Sequence, residues 1–320
     1  MKGLSFLGNE SFFLVLFPFL YWCLDSRLGL RLAVVYFLSG YLNHTLKQAL
    51  AQPRPPDLAP GINLVEQAGY GLPSGHAQGA VVLWGLLTLL GVRRGALARS
   101  CGALARSSGA ERWIWAPAVF LMLAIGLSRV YLGVHFPTDV LAGWAVGAGV
   151  LGAAAWALQR LAPRDLSARE PAADLAEGGQ AGDCSSALLR WLPWWAWIPA
   201  AGLLAGAVLV FLPEKDSVAM VAGMSGFVTG HLLRRRLLPG DEEGTVAQRL
   251  LRLPAGLAVL LGLYLGLKSL FPGEGQALYL PLRFVRYLLA GAWASLGAPL
   301  LFRTIGLARR PPTWPPGWRI

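Results

Sequence analysis

The sequence predicts an all-α protein, a polytopic bundle of transmembrane helices, from three observations. Hydrophobic residues make up 55% of the 320 residues and charged residues only 14%, against about 25% charged residues in an ordinary soluble domain. Apolar runs close to the roughly 20 residues that a membrane span needs recur along the chain. These runs are rich in Leu, Ala and Gly and lack the two-residue alternation of strands. A soluble enzyme and a disordered chain are therefore both excluded.

Nine apolar runs qualify as spans, and a polar stretch after the fifth divides them into two blocks. Residues 163–189 mix Asp, Glu, Arg, Pro and Gly, a composition typical of a flexible linker. We therefore expect a five-span block at residues 1–162, a cytoplasmic linker, and a four-span block of unknown role at residues 190–320. The first and seventh runs are short, which leaves a margin of one in the count. The runs cover residues 9–24, 29–51, 74–92, 113–131, 137–161, 191–212, 217–233, 252–271 and 281–303.

The basic residues indicate the orientation of the bundle, because Lys and Arg collect in the cytoplasmic loops of membrane proteins. With the N-terminus outside, the inner loops receive most of the arginines, including Arg93, Arg94 and the run at residues 234–236. We therefore expect an integral protein of the inner (plasma) membrane of a prokaryote, with the N-terminus outside and the C-terminus cytoplasmic. The net charge of +11 is then mostly a topology signal, so nucleic acid is not an expected partner.

One set of residues in the first block combines several ionisable side chains on the predicted outer side. Ionisable groups within or beside membrane spans are costly and are mostly functional. The set lies at the ends of spans two to five and in the loop that follows span two. Its members are Lys47, Arg54, Ser74, Gly75, His76, Arg129, His135 and Asp139. Their convergence predicts a site at the outer face.

The chemistry of this set indicates a phosphate. Lys47, Arg54 and Arg129 are three cations without an equal number of nearby acids. Arginine matches phosphate oxygens with a bidentate fork, whereas lysine acts as a point charge. Ser74 and Gly75 stand at a predicted helix start, where backbone N–H groups favour anions, and a glycine lets the backbone approach the anion closely.

The two histidines supply the reactive groups of the predicted site. His135 and Asp139 are four residues apart, a spacing that puts both on one face of a helix or of its first turn. A carboxylate bonded to one ring nitrogen fixes the tautomer and leaves the other nitrogen free to attack. His135 is the predicted nucleophile and Asp139 its orienting partner. His76 is the predicted general acid, because it follows the glycine that cradles the phosphate.

Three sequence blocks resemble the signature of the type 2 phosphatidic acid phosphatase superfamily, which includes membrane lipid phosphatases, soluble acid phosphatases and haloperoxidases. The resemblance covers about residues 9–160. The blocks are Lys47-(six residues)-Arg54-Pro55, Pro73-Ser74-Gly75-His76, and Ser128-Arg129-(five residues)-His135-(three residues)-Asp139. Two less specific segments, Phe17 to Trp22 followed by Asp25, and Glu66 to Gly71, are similar to the sphingosine-1-phosphate phosphatase branch. A chain acting on prenyl diphosphates could carry them too.

The resemblance implies a metal-independent phosphomonoesterase or diphosphatase that needs no cofactor and forms a phosphohistidine on His135. It implies that His76 protonates the leaving group and that Asp139 is the partner of His135. It also implies that Arg129 stabilises charge in the transition state as well as holding the phosphate. The implied phosphate-binding residues are Lys47, Arg54, Ser74, Gly75 and Arg129.

Several other residues are weaker candidates for the pocket. His44, one turn before Lys47, either lines the pocket or makes a structural polar contact. Glu66 either bonds donors near the site or is a solvated loop residue. Arg283 and Arg286, near the predicted outer end of the last span, either touch the substrate head group or anchor their helix. His231 adjoins an arginine cluster and is expected at the surface.

No metal site is expected from the sequence. The four histidines and three cysteines show no paired spacing of the kind that zinc sites use. Few acids fall on the predicted outer side, whereas a magnesium site would want several clustered carboxylates.

The leading function is hydrolysis of a lipid phosphate monoester or isoprenoid diphosphate at the outer membrane face, and two alternatives stay open. A phosphohistidine can also pass its phosphoryl group to a lipid acceptor, which would make the protein a transferase. A non-enzymatic lipid transporter ranks last, because the later spans carry few polar residues. The expected partners are a membrane lipid substrate and the bilayer. The substrate and the oligomeric state are undetermined, with a homodimer as one option.

Overall fold

The structure is a computed structural model, and it describes residues 3, 6–7, 10–100, 110–160, 214–238 and 244–308. These residues are helical or irregular and contain no strand. The α-helices are α1 (Glu10–Pro18), α2 (Ser26–Leu50), α3 (Pro55–Leu58), α4 (Gly75–Ser100), α5 (Ala110–Tyr131), α6 (Pro137–Arg160), α7 (Lys215–Leu237), α8 (Val246–Leu270), α9 (Tyr279–Ala292) and α10 (Ala298–Thr304). Two π-helical segments, Phe19–Leu24 and Trp293–Gly297, continue α1 and join α9 to α10.

Five helical stretches in the described ranges are long and apolar enough to cross a membrane. They are Gly75–Val92, Trp113–Tyr131, Pro137–Arg160, Val246–Leu270 and Tyr279–Thr304. The all-α membrane fold is thus supported, but the count of nine spans is not confirmed. Helices α2 and α7 coincide with the second and seventh predicted spans but carry more polar residues, and the predicted span at 191–212 and linker at 163–189 lie outside the described residues. Helix α4 continues eight residues beyond the predicted end of the third span.

Close packing of α6 on α4 sets the geometry near the predicted site. Gly143 and Gly147 are four residues apart on α6, a spacing that lets two membrane helices approach closely. A Cβ at Gly143 would lie 2.6 Å from the carbonyl oxygen of Ser74, and one at Gly147 would lie 2.9 Å from that of Gln78. Only glycine fits at these two positions, and the start of α6 is therefore held against the start of α4.

The C-terminal block is built on a similar contact between α7 and α9. Gly226 and Gly230 of α7 repeat the four-residue spacing. A Cβ at Gly226 would collide with the carbonyl oxygen of Leu288, and one at Gly230 would lie 3.1 Å from the carbonyl oxygen of Ala292. In both blocks, small residues at a helix crossing thus allow two helices to approach closely.

A buried joint connects the two blocks at the end of the bundle opposite to the predicted site. Pro18 has no backbone N–H to donate, and beyond it the chain continues as the first π-helical segment. From this segment Trp22 Nε1 donates to the carbonyl oxygen of Ala294, at 2.7 Å, and Tyr21 Oη donates to that of Ser295, at 3.2 Å. Both acceptors belong to the second π-helical segment, so side chains of one block bond to the backbone of the other.

His231 of α7 also belongs to this joint, and its predicted surface position was wrong. The residue is 3% exposed, and its Nδ1 lies 2.7 Å from Tyr21 Oη. Arg234 Nη1 donates to the same hydroxyl, at 3.3 Å. The face of α7 that carries His231 is turned toward the first block, because it packs on the Tyr21 ring.

Candidate active site

The predicted site lies where α2 ends and α4 and α6 begin. Helix α2 ends at Leu50 and is capped by Ala51, which has a left-handed backbone (φ 46°) and donates its N–H to the carbonyl oxygen of Lys47. The chain then reaches Arg54, whose backbone N–H is bonded by the Asp57 carboxylate at 2.7 Å. These two turns, with the proline that follows Arg54, place Lys47 and Arg54 at the same end of the bundle as His135.

The turn between α5 and α6 presents His135. Gly133 has a left-handed backbone (φ 68°) that ends α5 just after Arg129. Beyond it, the Asp139 carboxylate accepts from the backbone N–H of Phe136 at 2.9 Å, which stabilises the first turn of α6. The same oxygen lies 3.2 Å from His135 Nδ1. His135 and Asp139 are 2% and 1% exposed, so the pair is shielded from water.

The second ring nitrogen of His135 faces a cation. Arg54 Nη1 lies 3.0 Å from His135 Nε2. Burial lowers the pKa of His135 to about 4, the hydrogen bond that His135 donates to Asp139 opposes the shift, and the positive charges of Arg54 and Lys47 add to it. The imidazole is therefore neutral at neutral pH. Because an arginine only donates, Nε2 must be the lone-pair acceptor, and Nδ1–H donates to Asp139.

Burial also lowers the pKa of Arg54, which the carboxylates of Asp139 and Asp57 oppose. Arginine begins from so high a pKa that it stays protonated at neutral pH. The guanidinium is 3% exposed and also donates to the carbonyl oxygen of Val134, at 2.9 Å. Arg54 is thus a fixed positive charge in contact with the predicted nucleophile.

One short loop segment, residues 67–71, supplies acceptors to all three predicted phosphate-binding cations. We call this segment the carbonyl strap. Its oxygens occupy several of the donors that a phosphate would need. The contacts run from Lys47 Nζ to the carbonyl oxygens of Tyr70 and Gly71 (3.2 Å for Gly71), from Arg54 Nε to that of Gly69 (2.6 Å), from Arg54 Nη2 to that of Ala68 (3.4 Å), and from Arg129 Nη2 to Gln67 Oε1.

The start of α4 contributes the remaining predicted residues. The Ser74 hydroxyl is fully buried and has no hydrogen-bond partner, while its backbone N–H donates to the carbonyl oxygen of Asp139, at 2.9 Å. Gly75 begins the helix. His76 is half-buried and lies within electrostatic reach of Arg129 and His135. A buried hydroxyl without a partner in the protein is suited to an oxygen-rich ligand.

A buried hydrogen-bond chain behind the start of α4 was missed by sequence reasoning. Asn43 Nδ2 donates to the carbonyl oxygen of Pro73 at 3.3 Å and to Gln78 Oε1 at 2.8 Å. Gln78 Nε2 then donates to Ser39, at 2.8 Å to both its hydroxyl and its carbonyl oxygen. The signal was available, since each is a polar residue inside an apolar run. The chain ties the Pro73–His76 turn to α2.

The weaker candidates lie apart from this cluster or at its edge. His44 Nε2 lies 2.8 Å from Glu214 Oε2, a contact that links α2 to the start of α7. Glu66 is exposed, and its neighbour Gln67 makes the contact with Arg129 instead. Arg283 and Arg286 lie on α9 among tyrosine rings. Across the ranges that the structure describes, no group of three or more His, Cys, Asp or Glu residues could hold a metal ion.

Comparison with known proteins shows which protein family has these sequence blocks. The family model described as the PAP2 superfamily matches residues 28–163, which contain all three sequence blocks. A second model, described as the transmembrane extension of PAP2 superfamily phosphatases, matches residues 218–310. Phosphatidylglycerophosphatase B of Bacillus subtilis is 31% identical over 151 residues, which cover 46% of this chain and 68% of that protein. The chain belongs to the PAP2 superfamily. The predicted superfamily is confirmed.

Other PAP2 relatives act on different lipids, as their names state. Mouse sphingosine-1-phosphate phosphatase 2 is 32% identical, with 43% of this chain and 36% of that protein covered. The undecaprenyl-diphosphatase of Sulfolobus acidocaldarius is 29% identical, with 39% and 52% covered. A crystal structure of a transmembrane PAP2 type phosphatidylglycerolphosphate phosphatase from Bacillus subtilis is 26% identical, covers 51% of this chain and 76% of that chain, and has a TM-score of 0.41.

These PAP2 relatives are lipid phosphatases and diphosphatases, which are hydrolases, so the predicted enzyme class is confirmed at the level of the family. The match to a transmembrane extension supports an integral membrane protein. The roles of the individual site residues, the domain bounds at 1–162, 163–189 and 190–320, the outer-face orientation and the oligomeric state stay predictions.

Proposed function

We propose that this protein is an integral membrane phosphatase that hydrolyses a lipid phosphate monoester or an isoprenoid diphosphate through a phosphohistidine on His135. The observation that carries the proposal is the His135 ring, bonded to Asp139 at one nitrogen and facing the Arg54 guanidinium at the other. PAP2 relatives that act on both kinds of substrate support it. We further propose that no metal takes part, because phosphate charge is balanced by Lys47, Arg54 and Arg129.

In the first step, the lone pair on His135 Nε2 attacks the phosphorus atom. The P–N bond forms while the bond from phosphorus to the lipid oxygen breaks. The ring gains positive charge, which the Asp139 carboxylate at Nδ1–H stabilises. The leaving lipid oxygen takes a proton from His76 and departs as an alcohol or, for a diphosphate, as a phosphate monoester. The cations stabilise the charge that spreads over the phosphoryl oxygens.

In the second step, water attacks the phosphorus atom and the P–N bond breaks. His76, now neutral, takes the proton of the attacking water, so both histidines return to the protonation states that they had when the substrate was bound. Inorganic phosphate is released. Protons and electron pairs balance over the two steps without a co-reactant.

Substrate binding must first rearrange the resting contacts. Arg54 Nη1 has to turn from His135 Nε2 to a phosphate oxygen, because the attacking nitrogen needs its lone pair. The oxygens of the carbonyl strap have to give way to phosphate oxygens at Lys47, Arg54 and Arg129. The positive charge is already gathered before the substrate arrives, and that pre-organisation is where the catalytic advantage arises.

Phosphate release from three lipids tests the proposal. The purified protein should release phosphate from at least one of phosphatidylglycerol phosphate, sphingosine-1-phosphate and undecaprenyl diphosphate, and EDTA should not reduce the rate. His135→Ala should lower turnover by roughly 10⁴-fold or more, and an acid-labile phosphohistidine should form on the wild-type protein only. Turnover that stops with EDTA, or no release from any substrate, would contradict the proposal. A phosphorylated lipid alcohol formed when that alcohol is added would indicate transfer instead of hydrolysis.

The orientation has its own support and its own test. The proposed outer face rests on the basic residues that gather at the opposite side of the predicted spans. Intact spheroplasts should therefore release phosphate from an added water-soluble substrate that cannot cross the membrane. Release that appears only after the cells are broken would place the site on the cytoplasmic face.

A further inference from the structure

The C-terminal block contains a buried arginine that the proposed reaction does not use. Arg286 of α9 is 5% exposed, and its Nε atom has no hydrogen-bond partner. No carboxylate in the described part of the chain forms an ion pair with it. A charged group within a membrane segment is costly unless it is paired, and such a group is by default a candidate binding site.

Two tyrosine rings compensate part of this charge. The guanidinium carbon of Arg286 lies 5.0 Å from the ring centre of Tyr264 and 5.3 Å from that of Tyr287. The two tyrosine hydroxyls lie 3.2 Å apart, which holds the rings in place. A guanidinium that lies over an aromatic ring gains less free energy than one that pairs with an anion away from water. The ring contact also does not use the N–H groups that lie in the plane of the guanidinium. The guanidinium is held in position, and its donors remain suited to an anion.

A second arginine one turn away adds to the positive charge. Arg283 lies 5.2 Å from the ring centre of Tyr287, so this ring stands between two guanidinium groups. Its Nη2 lies 3.7 Å from Asp216, the single carboxylate that pairs with either arginine in the described ranges. Two cations therefore share one acid, and the cluster keeps one uncompensated positive charge.

The cluster lies at the same end of the bundle as the candidate active site. Leu280 and Phe284 of α9 pack with Val218 and Val221 of α7 and with Tyr41 of α2, the helix that carries Lys47. A cleft of about 680 Å³ opens beside it, lined by Lys215, Glu274 and Tyr279 among others. The Tyr279 hydroxyl accepts from Arg283 Nη1 at 2.9 Å, so the cleft reaches the cluster directly.

We propose that Arg286 and Arg283, with Tyr264 and Tyr287, form a second anion site that binds the phosphate of a lipid head group with net negative charge, separate from His135. The arginine fork matches phosphate oxygens, and the apolar faces of the rings suit the head-group region of a membrane. Two sources share this chemistry, a phospholipid phosphate and free phosphate. The site does not depend on the proposed hydrolysis, because a phosphodiester lipid that a monoesterase leaves intact would occupy it.

Direct lipid binding tests the site without any turnover. The full chain is purified in detergent, and bound phosphatidylglycerol and phosphatidylcholine are counted by native mass spectrometry as each lipid is titrated. Wild-type protein should hold phosphatidylglycerol in preference to phosphatidylcholine. Arg286→Gln should weaken phosphatidylglycerol binding by about 10–100-fold, the loss expected for hydrogen bonds to a charged group. Arg235→Gln, at the exposed opposite end of α7, removes the same charge as a matched control and should leave binding unchanged.

Two further variants keep the test decisive if Arg286→Gln does not fold. Arg286→Lys keeps the charge but loses the fork, and it should weaken binding severalfold. Arg283→Gln should weaken it as well. Folding of each variant is checked by its thermal melting curve. The proposal is overturned if these variants bind phosphatidylglycerol as tightly as Arg235→Gln, or if the wild-type protein shows no preference between the two lipids.

Added inorganic phosphate separates the two sources of the anion. If millimolar phosphate displaces the bound lipid, the site accepts phosphate itself. If it does not, the lipid is required for binding. Either result, together with weaker lipid binding by Arg286→Gln, supports an anion site. A wild-type protein that releases no phosphate from any lipid would refute the proposed phosphatase while leaving these binding results intact.

Discussion

The two ends of the bundle use the same interaction, a side-chain donor to a backbone carbonyl, with opposite consequences. At the joint, Trp22 bonds to Ala294 within packed helices, and the acceptor is buried. At the candidate site, Lys47 and Arg54 bond to carbonyls of the carbonyl strap, a loop in which Tyr70 is 39% exposed. A carbonyl in a packed helix cannot be exchanged for a ligand, whereas one in an exposed loop can. Burial of the acceptor separates a structural contact from a binding one.

The largest expected effect on kcat comes from removing the negative charge of Asp139 at the candidate active site. Asp139→Asn should lower kcat by about 10²–10⁴-fold, because the amide no longer stabilises the positive imidazole ring. The fold should survive, since the asparagine oxygen can still accept from the N–H of Phe136. Turnover and a thermal melt measure the two effects separately. Asp25→Asn at the opposite end is the control, because asparagine caps helix α2 as well as aspartate does; an equal loss there would contradict the assignment.

The hydrogen-bond chain behind the Pro73–His76 turn should also be needed for rate. Asn43→Ala breaks the links to Pro73 and Gln78, and the resulting displacement of the turn should cost up to about 10²-fold in kcat. Thr45→Ala on the same helix removes only a bond to the carbonyl oxygen of Tyr41 and should keep its rate. If Asn43→Ala loses stability but keeps kcat at a temperature where it is folded, the chain is structural only.

The acid limb of activity should report on His135. Its pKa of about 4 means that protonation removes the nucleophile only below that pH, instead of near the 6.5 of a free imidazole. Activity limited by this group should be complete above pH 5 and fall about tenfold per unit below pH 4. The measurement is kcat/KM from pH 3 to 7, because this ratio reports the groups of the substrate-free protein, with a correction for ionisation of the substrate phosphate, whose second pKa is about 6. A limb near pH 6.5 that remains after this correction would contradict a buried neutral ring.

The smallest effect on rate is expected at the joint. Tyr21→Phe keeps the ring but removes the hydroxyl that His231 and Arg234 contact, which should cost about 1–3 kcal/mol of stability. Turnover below the melting temperature should change less than twofold. Tyr131→Phe, on an exposed side chain, is the matched control. A tenfold fall in kcat for folded Tyr21→Phe would contradict the purely structural role of the joint.

Sequence reasoning was most effective where local spacing decides geometry. The four-residue separation of His135 and Asp139 predicts a contact across the first turn of a helix, and His135 Nδ1 lies 3.2 Å from the Asp139 carboxylate although His135 stands just before α6. The length of the apolar runs predicts most of the long helices. Reasoning failed where helix rotation decides: His231 was expected at the surface beside arginines, yet its face of α7 is turned toward Tyr21.

Other features of the candidate site could not be predicted from the residue types in the sequence. The acceptors of the carbonyl strap are mostly backbone oxygens, which every residue has, so the sequence does not mark them. Asn43 and Gln78 are visible as polar residues, but they are 35 positions apart, and only the packing of α4 on α2 reveals that they meet.

The carbonyl strap makes ligand binding an exchange instead of an addition. If phosphate oxygens replace the strap as proposed, the number of hydrogen bonds to Lys47, Arg54 and Arg129 should change little, so the gain would come from charge: a dianion would replace neutral carbonyls. An anion of low charge, such as chloride, should gain less from this exchange. The resting protein would thereby carry its own competitor, which favours ligands of high charge.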